Sequence, residues 1–333
     1  MTIKVGINGM GRIGRMIIRT IIENNNKNLK INHINNRASS EVCSSLLKYD
    51  SIHGKFNANV DFDDKHLIIN KNKITFSQET DLNKVNWKKY DVDYVFECTG
   101  KFNSKYKLQP HLKNGAKKVI VSAPCINADK MIVYGVNEME LKKEDKIISA
   151  ASCTTNCLAP VAHVLNKVFE IEKGFMTTIH AFTSDQRILD NSHKDPRRAR
   201  SASQSIVPTS TGASKSIGEI IPSLKGKLEG VAMRVPTTNV SLIEFVFCTK
   251  KNLSAEKINL AFENFSKKNK VLEITKEKLV SIDFNHNPAS SIIDASLTSV
   301  VSSNMGKISA WYDNEWGFSN RMCDTAVAMK RSR

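Results

Sequence analysis

The chain has 333 residues, 41% of them hydrophobic and 25% charged, which is enough apolar content for a sizeable core and two domains. No run approaches the ~18 uninterrupted apolar residues of a membrane-spanning helix, and the composition excludes disordered and collagen-like classes. Lys and Arg number 49 against 33 Asp and Glu, a formal charge of +16 that suits nucleic acid or anionic metabolites. The lysines lie in ordinary helix and loop sequence, without a zinc finger, arginine–glycine tract or aromatic platform, so nucleic acid is not expected as the primary partner.

In chain order, IKVGI predicts a short buried strand and RMIIRTIIE a helix with apolar residues at helical spacing. LKINHI predicts a second strand ending near Ile34. Residues 58–76 read as short strands joined by polar turns, an inserted hairpin pair. DYVFECTG and KKVIVSAP are two further apolar strands with a helix-like stretch between them, and together these elements have the rhythm of a doubly wound parallel sheet.

After ISAASCTTN the texture changes. CLAPVAHVLNKVF predicts a helix, and FMTTIHAF, GVAMRVPT, VSLIEFVFCTK, SIIDASLTSVVSS and KISAWYD predict longer strands of a mixed, mostly antiparallel sheet. Between them, about 181–211, runs a polar, Arg-rich stretch without a strand pattern, expected to be a functional or interface loop. WGFSNRMCDTAVAMKRSR predicts a terminal helix over about 316–333. The expected class is α/β, with a doubly wound domain over 1–150 and an α+β domain over 151–315.

Gly9-Met10-Gly11-Arg12-Ile13-Gly14 is a GxGxxG sequence placed after a strand and opening a helix. In the dinucleotide reading Gly9 permits the tight turn, Gly11 admits the pyrophosphate to the backbone, and Gly14 lets helix and sheet pack closely. The other reading is a glycine-rich turn without a ligand. An acid about 20 residues past the glycines ordinarily holds the adenosine ribose, but this chain has Asn36 and Arg37 there. Asn36 removes repulsion against a 2′-phosphate and Arg37 is able to pair with one, so NADP or dual use is favoured over NAD alone. Thr99 and Ser122, at the tips of the next two strands, are candidate cofactor contacts.

The seven cysteines are odd in number and contain no metal-binding CxxC pair, so reduced, cytoplasmic thiols and no metal site are expected. The opening MTIKVGINGMG lacks the pattern of a cleavable signal. Cys153 stands at the predicted N-terminus of a helix, where unpaired amides favour a thiolate; Cys157 lies a turn inside and is expected to be structural. His180, ending a strand before the polar loop, is the candidate base, although a core or surface histidine fits the same pattern.

NGMGRIGR, SCTTNC, TTIHAFTSDQ, HKDPRRAR, PTSTGASK, RVPTTNVS and WYDNEWGFSNR together resemble phosphorylating glyceraldehyde-3-phosphate dehydrogenases of the bacterial type, across essentially the whole chain. The resemblance implies a Rossmann domain, a catalytic domain, a terminal helix packed back on the Rossmann domain, and a homotetramer. It implies Cys153 as nucleophile and His180 as acid–base, with a phosphorylated aldehyde and inorganic phosphate as substrates. It assigns the substrate phosphate to Thr183 and Arg234, and inorganic phosphate to Ser152, Thr154, Arg198, Thr211 and Gly212. Arg12, Ile13, Asn314 and Phe318 are implied around the cofactor.

Two positions depart from the family pattern. Asn36 replaces the usual second-strand acid, and Ser192 stands where NAD-specific members tend to carry Pro. Both lean toward NADP, which would favour a biosynthetic role over a glycolytic one. Erythrose-4-phosphate dehydrogenase is the alternative, echoed in LVSIDFNHNP; the Thr183 and Thr211-Gly212 motifs resemble the phosphorylating enzyme instead.

Overall fold

Strands buried on both faces of a sheet need apolar side chains on both sides, and the near-continuous apolar runs of the first half meet that need. In the computed structural model, which describes residues 2–332, this half supplies β1 (Ile3–Asn8), α1 (Arg12–Glu23), β2 (Leu29–Asn35), α2 (Ser40–Lys48), β3 (Tyr49–Asp50), β4 (Gly54–Lys55), β5 (Val60–Asp63), β6 (His66–Ile69), β7 (Asn72–Ser77), β8 (Tyr94–Glu97), α3 (Lys105–Lys113), β9 (Lys118–Val121), β10 (Lys130–Met131) and β11 (Ile147–Ser149). Nine of these strands form one sheet in the order β10-β11-β9-β8-β1-β2-β7-β6-β5. It is parallel from β10 to β7, with β1 central between β2 and β8.

The segment expected to be an inserted hairpin pair is not separate from this sheet. β5, β6 and β7 form an antiparallel meander, and β7 then runs parallel beside β2, burying Ile74 and Phe76. Beneath the sheet, His33 is fully buried, stacked on Tyr90 at 3.7 Å and edge-on to Trp87. Its ring nitrogens lie 2.8 Å from Thr75 Oγ1 and 2.9 Å from Ser77 Oγ, and burial lowers its pKa to about 3.

The second half supplies α4 (Cys153–Phe169), β12 (Ile171–Ala181), β13 (Val207–Ser210), α5 (Ala213–Ile220), β14 (Leu228–Val235), β15 (Ser241–Thr249), α6 (Ala255–Ser266), β16 (Leu272–Thr275), β17 (Ser291–Asp294), β18 (Ser299–Val301) and β19 (Met305–Tyr312). Its sheet runs β13-β14-β12-β15-β19-β17-β16, with β18 also on β19. The β12–β14 and β16–β17 pairs are parallel and the others antiparallel, giving the mixed, mostly antiparallel sheet that the strand pattern predicts. Period-2 alternation is plain in β15, where Ser241, Ile243, Phe245 and Phe247 are buried and their neighbours half-buried.

Two details differ from the sequence expectation. The polar stretch 181–211 contains a strand after all, because Val207 and Thr209 turn inward and β13 pairs with β14. SIIDASLTSVVSS is not one strand: the Asp294 carboxylate accepts from Ser296 N and Oγ, which bends the chain between β17 and β18.

The chain divides into two compact units, one running through Ser152 and taking in Ser319 onward, the other spanning Cys153–Phe318. The last helix, α7 (Trp316–Arg331), therefore lies mostly with the first unit, where Asn24 Nδ2 donates to Asn320 Oδ1 at 2.8 Å. Among the described residues, no helix is long and apolar enough to cross a membrane, and no cluster of His, Cys, Asp or Glu is arranged to hold a metal ion.

Candidate active site

In the first unit the strand ends of β1, β2 and β8 open into a cavity of about 300 Å³ lined by Gly9, Gly11, Asn36, Arg37 and Thr99, among others. Gly9 has φ +95°, which an L side chain rarely adopts, and a Cβ on Gly14 would lie 2.0 Å from Gly9 O. At Gly11 a Cβ would meet nothing within 4 Å, and the helix α1 that starts beyond it has no side-chain cap. Open space in front of uncapped helical amides, at the carboxyl ends of parallel strands, fits the pyrophosphate of a dinucleotide.

Asn36 does more here than avoid a charge. Its Oδ1 accepts from Met10 N at 3.0 Å and its Nδ2 approaches Cys43 Sγ at 3.1 Å, so it pins the glycine-rich loop to α2. Arg37 is exposed at the cavity, and its guanidinium has no hydrogen-bond or ion-pair partner among the described residues. Arg12 points elsewhere: it forms a bidentate pair with the buried Asp50 carboxylate, at 2.5 and 3.0 Å. Ser122 and Ile13 do not line this cavity; Ser122 N donates to Glu97 O at 3.0 Å.

In the second unit, Cys153 is the first residue of α4. The preceding turn is strained: Ala151 sits at φ +59°, held by its amide donating to Ser149 Oγ at 3.0 Å. Cys153 Sγ lies 3.4 Å from His180 Nε2. Burial pushes the thiol up, with the charge of Arg234 and donors from Thr154 offsetting part of that, and burial followed by Arg234 lowers His180 to about 3. Burial opposes a charge on either partner, and the 3.4 Å contact gives the thiol proton a route to Nε2.

Register explains the company His180 keeps. His180 on β12 is paired with Arg234 on β14. Arg234 Nη1 lies 2.6 Å from His180 Nδ1 and 3.1 Å from Ala181 O, while Nδ1 itself is 2.7 Å from Ala181 O. Nδ1 thus either donates to the carbonyl, leaving Nε2 an acceptor, or accepts from the guanidinium, leaving Nε2 a donor. The Nε of Arg234 is buried without a partner, an orphan donor that fits an anion.

The remaining anion candidates, Ser152 apart, lie in this unit. Arg198 donates through Nε and Nη2 to Thr209 Oγ1 at 2.8 and 2.6 Å and through Nη1 to Asp185 at 2.5 Å, leaving two of its five N–H groups for a ligand. Thr183 is held by Gln186 Oε1, which accepts from its amide at 2.9 Å and its hydroxyl at 3.1 Å. Thr211 Oγ1 accepts from Ala213 N at 3.2 Å, and Gly212 caps α5. Ser152 is half-buried at the end of the turn into α4.

The model of the family described as glyceraldehyde 3-phosphate dehydrogenase, NAD binding domain, matches residues 3–105, and that of the family's C-terminal domain matches residues 152–314. Glyceraldehyde-3-phosphate dehydrogenase of Cereibacter sphaeroides is 48% identical over 333 residues, covering 99% of both chains. Glyceraldehyde-3-phosphate dehydrogenase 2 of Staphylococcus aureus strain COL is 48% identical over 328 residues, 98% of this chain and 95% of the relative. That of Zymomonas mobilis is 47% identical over 336 residues and the full length of both. The chain belongs to the glyceraldehyde-3-phosphate dehydrogenase family.

Two side chains to which the sequence assigns no role, Tyr312 and Ser241, join this site. The Tyr312 hydroxyl, 2.9 Å from both Thr154 Oγ1 and Thr178 Oγ1, occupies the threonine that sequence resemblance assigns to inorganic phosphate, and Thr154 is buried. Ser241 Oγ accepts from Ala181 N at 3.1 Å and donates to Asn314 Oδ1 at 2.8 Å, tying the end of the His180 strand to Asn314. Phe318 is buried in the first turn of α7. Ser192 is exposed, its carbonyl accepting from Arg187 at 2.9 and 3.1 Å. Cys157 is fully buried, and burial pushes its thiol far up.

Proposed function

We propose that the chain oxidises D-glyceraldehyde 3-phosphate, with inorganic phosphate and NAD(P)+, to 1,3-bisphosphoglycerate and NAD(P)H through a thioester on Cys153. The observation that carries this reading is the Cys153–His180 contact of 3.4 Å at the start of α4, beside a buried Arg234 donor without a partner. The reported relatives carry the triose-phosphate enzyme's name, which supports it over the erythrose 4-phosphate reading.

In this mechanism the guanidinium of Arg234 leaves Nδ1 of His180 for the substrate's phosphate, Nδ1 donates to Ala181 O, and Nε2 takes the proton of Cys153 as Sγ attacks the aldehyde carbon. The same proton then passes to the carbonyl oxygen, giving a hemithioacetal. Arg234 and Thr183 hold the substrate's phosphate, the guanidinium turning its orphan Nε toward it. Gly9, Gly11, Gly14, Asn36, Arg37 and Thr99 would hold the dinucleotide, which would supply the hydride acceptor, and Asn314 is the residue that family resemblance assigns to its carboxamide. His180 removes the hydroxyl proton as the carbon is oxidised, leaving an acyl thioester. Phosphate, held by Arg198, Ser152, Thr211 and Gly212, attacks that carbonyl; Cys153 departs as thiolate and recovers its proton from His180.

Dual or NADP-leaning cofactor use belongs to the same reading. The neutral Asn36 amide supports it, as does the unpartnered Arg37 guanidinium at the cavity. Initial rates with the aldehyde and phosphate, varying each cofactor separately, test both claims. We expect kcat/KM for NADP+ to equal or exceed that for NAD+. In Arg37→Ala the NADP+/NAD+ ratio should fall about 10–100-fold, the scale of one or two charge-assisted hydrogen bonds. An NAD+ preference above ~100-fold in the parent contradicts the cofactor assignment, and no turnover with either contradicts the function.

A homotetramer and a cytoplasmic setting complete the proposal. The exposed apolar side chains of Phe175, Val231 and Met305 on the second sheet support a subunit contact, and seven cysteines without a disulfide support a reducing compartment.

A further inference from the structure

The C-terminal ends of four neighbouring strands carry a row of polar residues in register. Ser77 on β7 pairs with Asn35 on β2, Asn35 with Asn8 on β1, and Asn8 with Glu97 on β8. Their side chains are linked end to end: Ser77 Oγ to Asn35 Oδ1 at 2.8 Å, Asn35 Nδ2 to Asn8 Oδ1 at 2.8 Å, and Asn8 Nδ2 to Glu97 Oε2 at 2.7 Å. Glu97 is 1% exposed, yet it is satisfied by four donors, the others being Thr99 N at 2.9 Å, Thr99 Oγ1 at 2.5 Å and His111 Nε2 at 3.0 Å. Asn8, Asn35 and Thr99 all line the dinucleotide cavity; Glu97, His111 and Trp87 lie behind it.

The direction of each bond is determined by groups that can only donate. Trp87 Nε1 donates to His111 Nδ1 at 2.9 Å, so the His111 proton sits on Nε2 and points at Glu97. At the far side Glu79 N donates to Asn35 Oδ1 at 2.9 Å, which orients both amides toward Glu97. Trp87 and His111 are fully buried, so this arrangement has no water to substitute for a missing partner. Thr99 in turn abuts the glycine-rich loop: a Cβ on Gly9 would lie 2.9 Å from the Thr99 methyl.

We infer that His111, on the outer helix α3, is a positioning residue for dinucleotide binding: through Glu97 it sets the Thr99 turn against Gly9, and with it the wall of the cavity. The inference rests on the reading of that cavity as the dinucleotide site. Removing the His111 donor leaves a buried carboxylate short of one partner, and the cheapest response is for Glu97 to turn and release Thr99. His111 touches no reacting atom, so its effect falls on cofactor affinity and leaves the chemical step alone.

The test is direct binding of NAD+ and NADP+ to the full chain by calorimetry, with kinetics alongside. In His111→Leu we expect Kd for both dinucleotides to rise at least tenfold, with kcat at saturating cofactor and KM for the aldehyde within twofold of the parent. His111→Gln, whose amide both donates to Glu97 and accepts from Trp87, should bind within threefold of the parent. Glu97→Gln keeps the side-chain size but sets a donor against donors, so it should repeat the His111→Leu loss without a cavity, and it decides the question if His111→Leu does not fold. A folded His111→Leu or Glu97→Gln that binds like the parent overturns the inference, as does a His111→Gln as weak as His111→Leu. A parent that binds neither dinucleotide overturns the underlying cavity reading instead.

Discussion

Replacing Cys153 with Ser is expected to lower kcat/KM for the aldehyde by at least about 10⁴-fold, with the fold intact. The substitution changes one atom at the start of α4, where backbone and Tyr312–Thr154 contacts are independent of it. What is lost is a polarisable nucleophile whose proton can cross to His180 at 3.4 Å; a serine hydroxyl is far harder to ionise in the same half-buried place. Cys157→Ser is the matched control. Its sulfur is fully buried, 3.9 Å from Ala310 O and hydrogen-bonded with the Ser291 side chain, away from His180, so activity should stay within about threefold. If Cys153→Ser retains more than a few per cent of activity, or Cys157→Ser loses as much, the nucleophile has been misassigned.

His180→Asn is expected to lower kcat by about 10²–10⁴-fold, the usual weight of a general acid–base, and to slow alkylation of Cys153 by iodoacetamide at pH 7. Both effects follow from removing Nε2 as the acceptor of the thiol proton. Because burial and Arg234 lower the His180 pKa to about 3, protonation of the free imidazole should produce no break in rate near pH 6.5. The sign for stability is also determined. A histidine whose folded pKa lies below its unfolded value stabilises the fold above pH ~6.5, and that contribution is lost as pH falls toward 3. His33, also lowered to about 3, acts in the same sense, so His180→Asn should flatten the acid limb of the stability curve without abolishing it. An unchanged alkylation rate in His180→Asn would remove His180 from the mechanism.

What could be read from sequence was local. The glycine spacing, the cysteine at a helix start and the apolar periodicities each occupy a few contiguous residues, and each marks an element present in the fold. What could not be read depends on register between distant strands. Arg234 meets His180 because β14 runs parallel to β12, and Tyr312 reaches both Thr154 and Thr178 because β19 lies two strands from β12. Asn36 reads as a missing carboxylate; only the folded loop reveals its bond to Met10 N. The same holds for β13, hidden in a polar stretch because only Val207 and Thr209 of its residues turn inward, and for the row from Ser77 to Glu97, whose members come from four separate strands. At Cys153 the sequence reveals a helix start but not the burial around it, which pushes the thiol up.

The central claim is a covalent thioester on Cys153 that inorganic phosphate must release. The most direct test is rapid mixing of the chain with aldehyde and NAD(P)+ in the absence of phosphate, followed by its addition, with peptide mass analysis of the quenched protein. The account predicts a burst of NAD(P)H near one equivalent per active chain, an acyl adduct on the Cys153 peptide, and steady turnover only once phosphate is present. Steady turnover without phosphate or an equivalent acceptor, or a burst with the adduct on another residue, would contradict it.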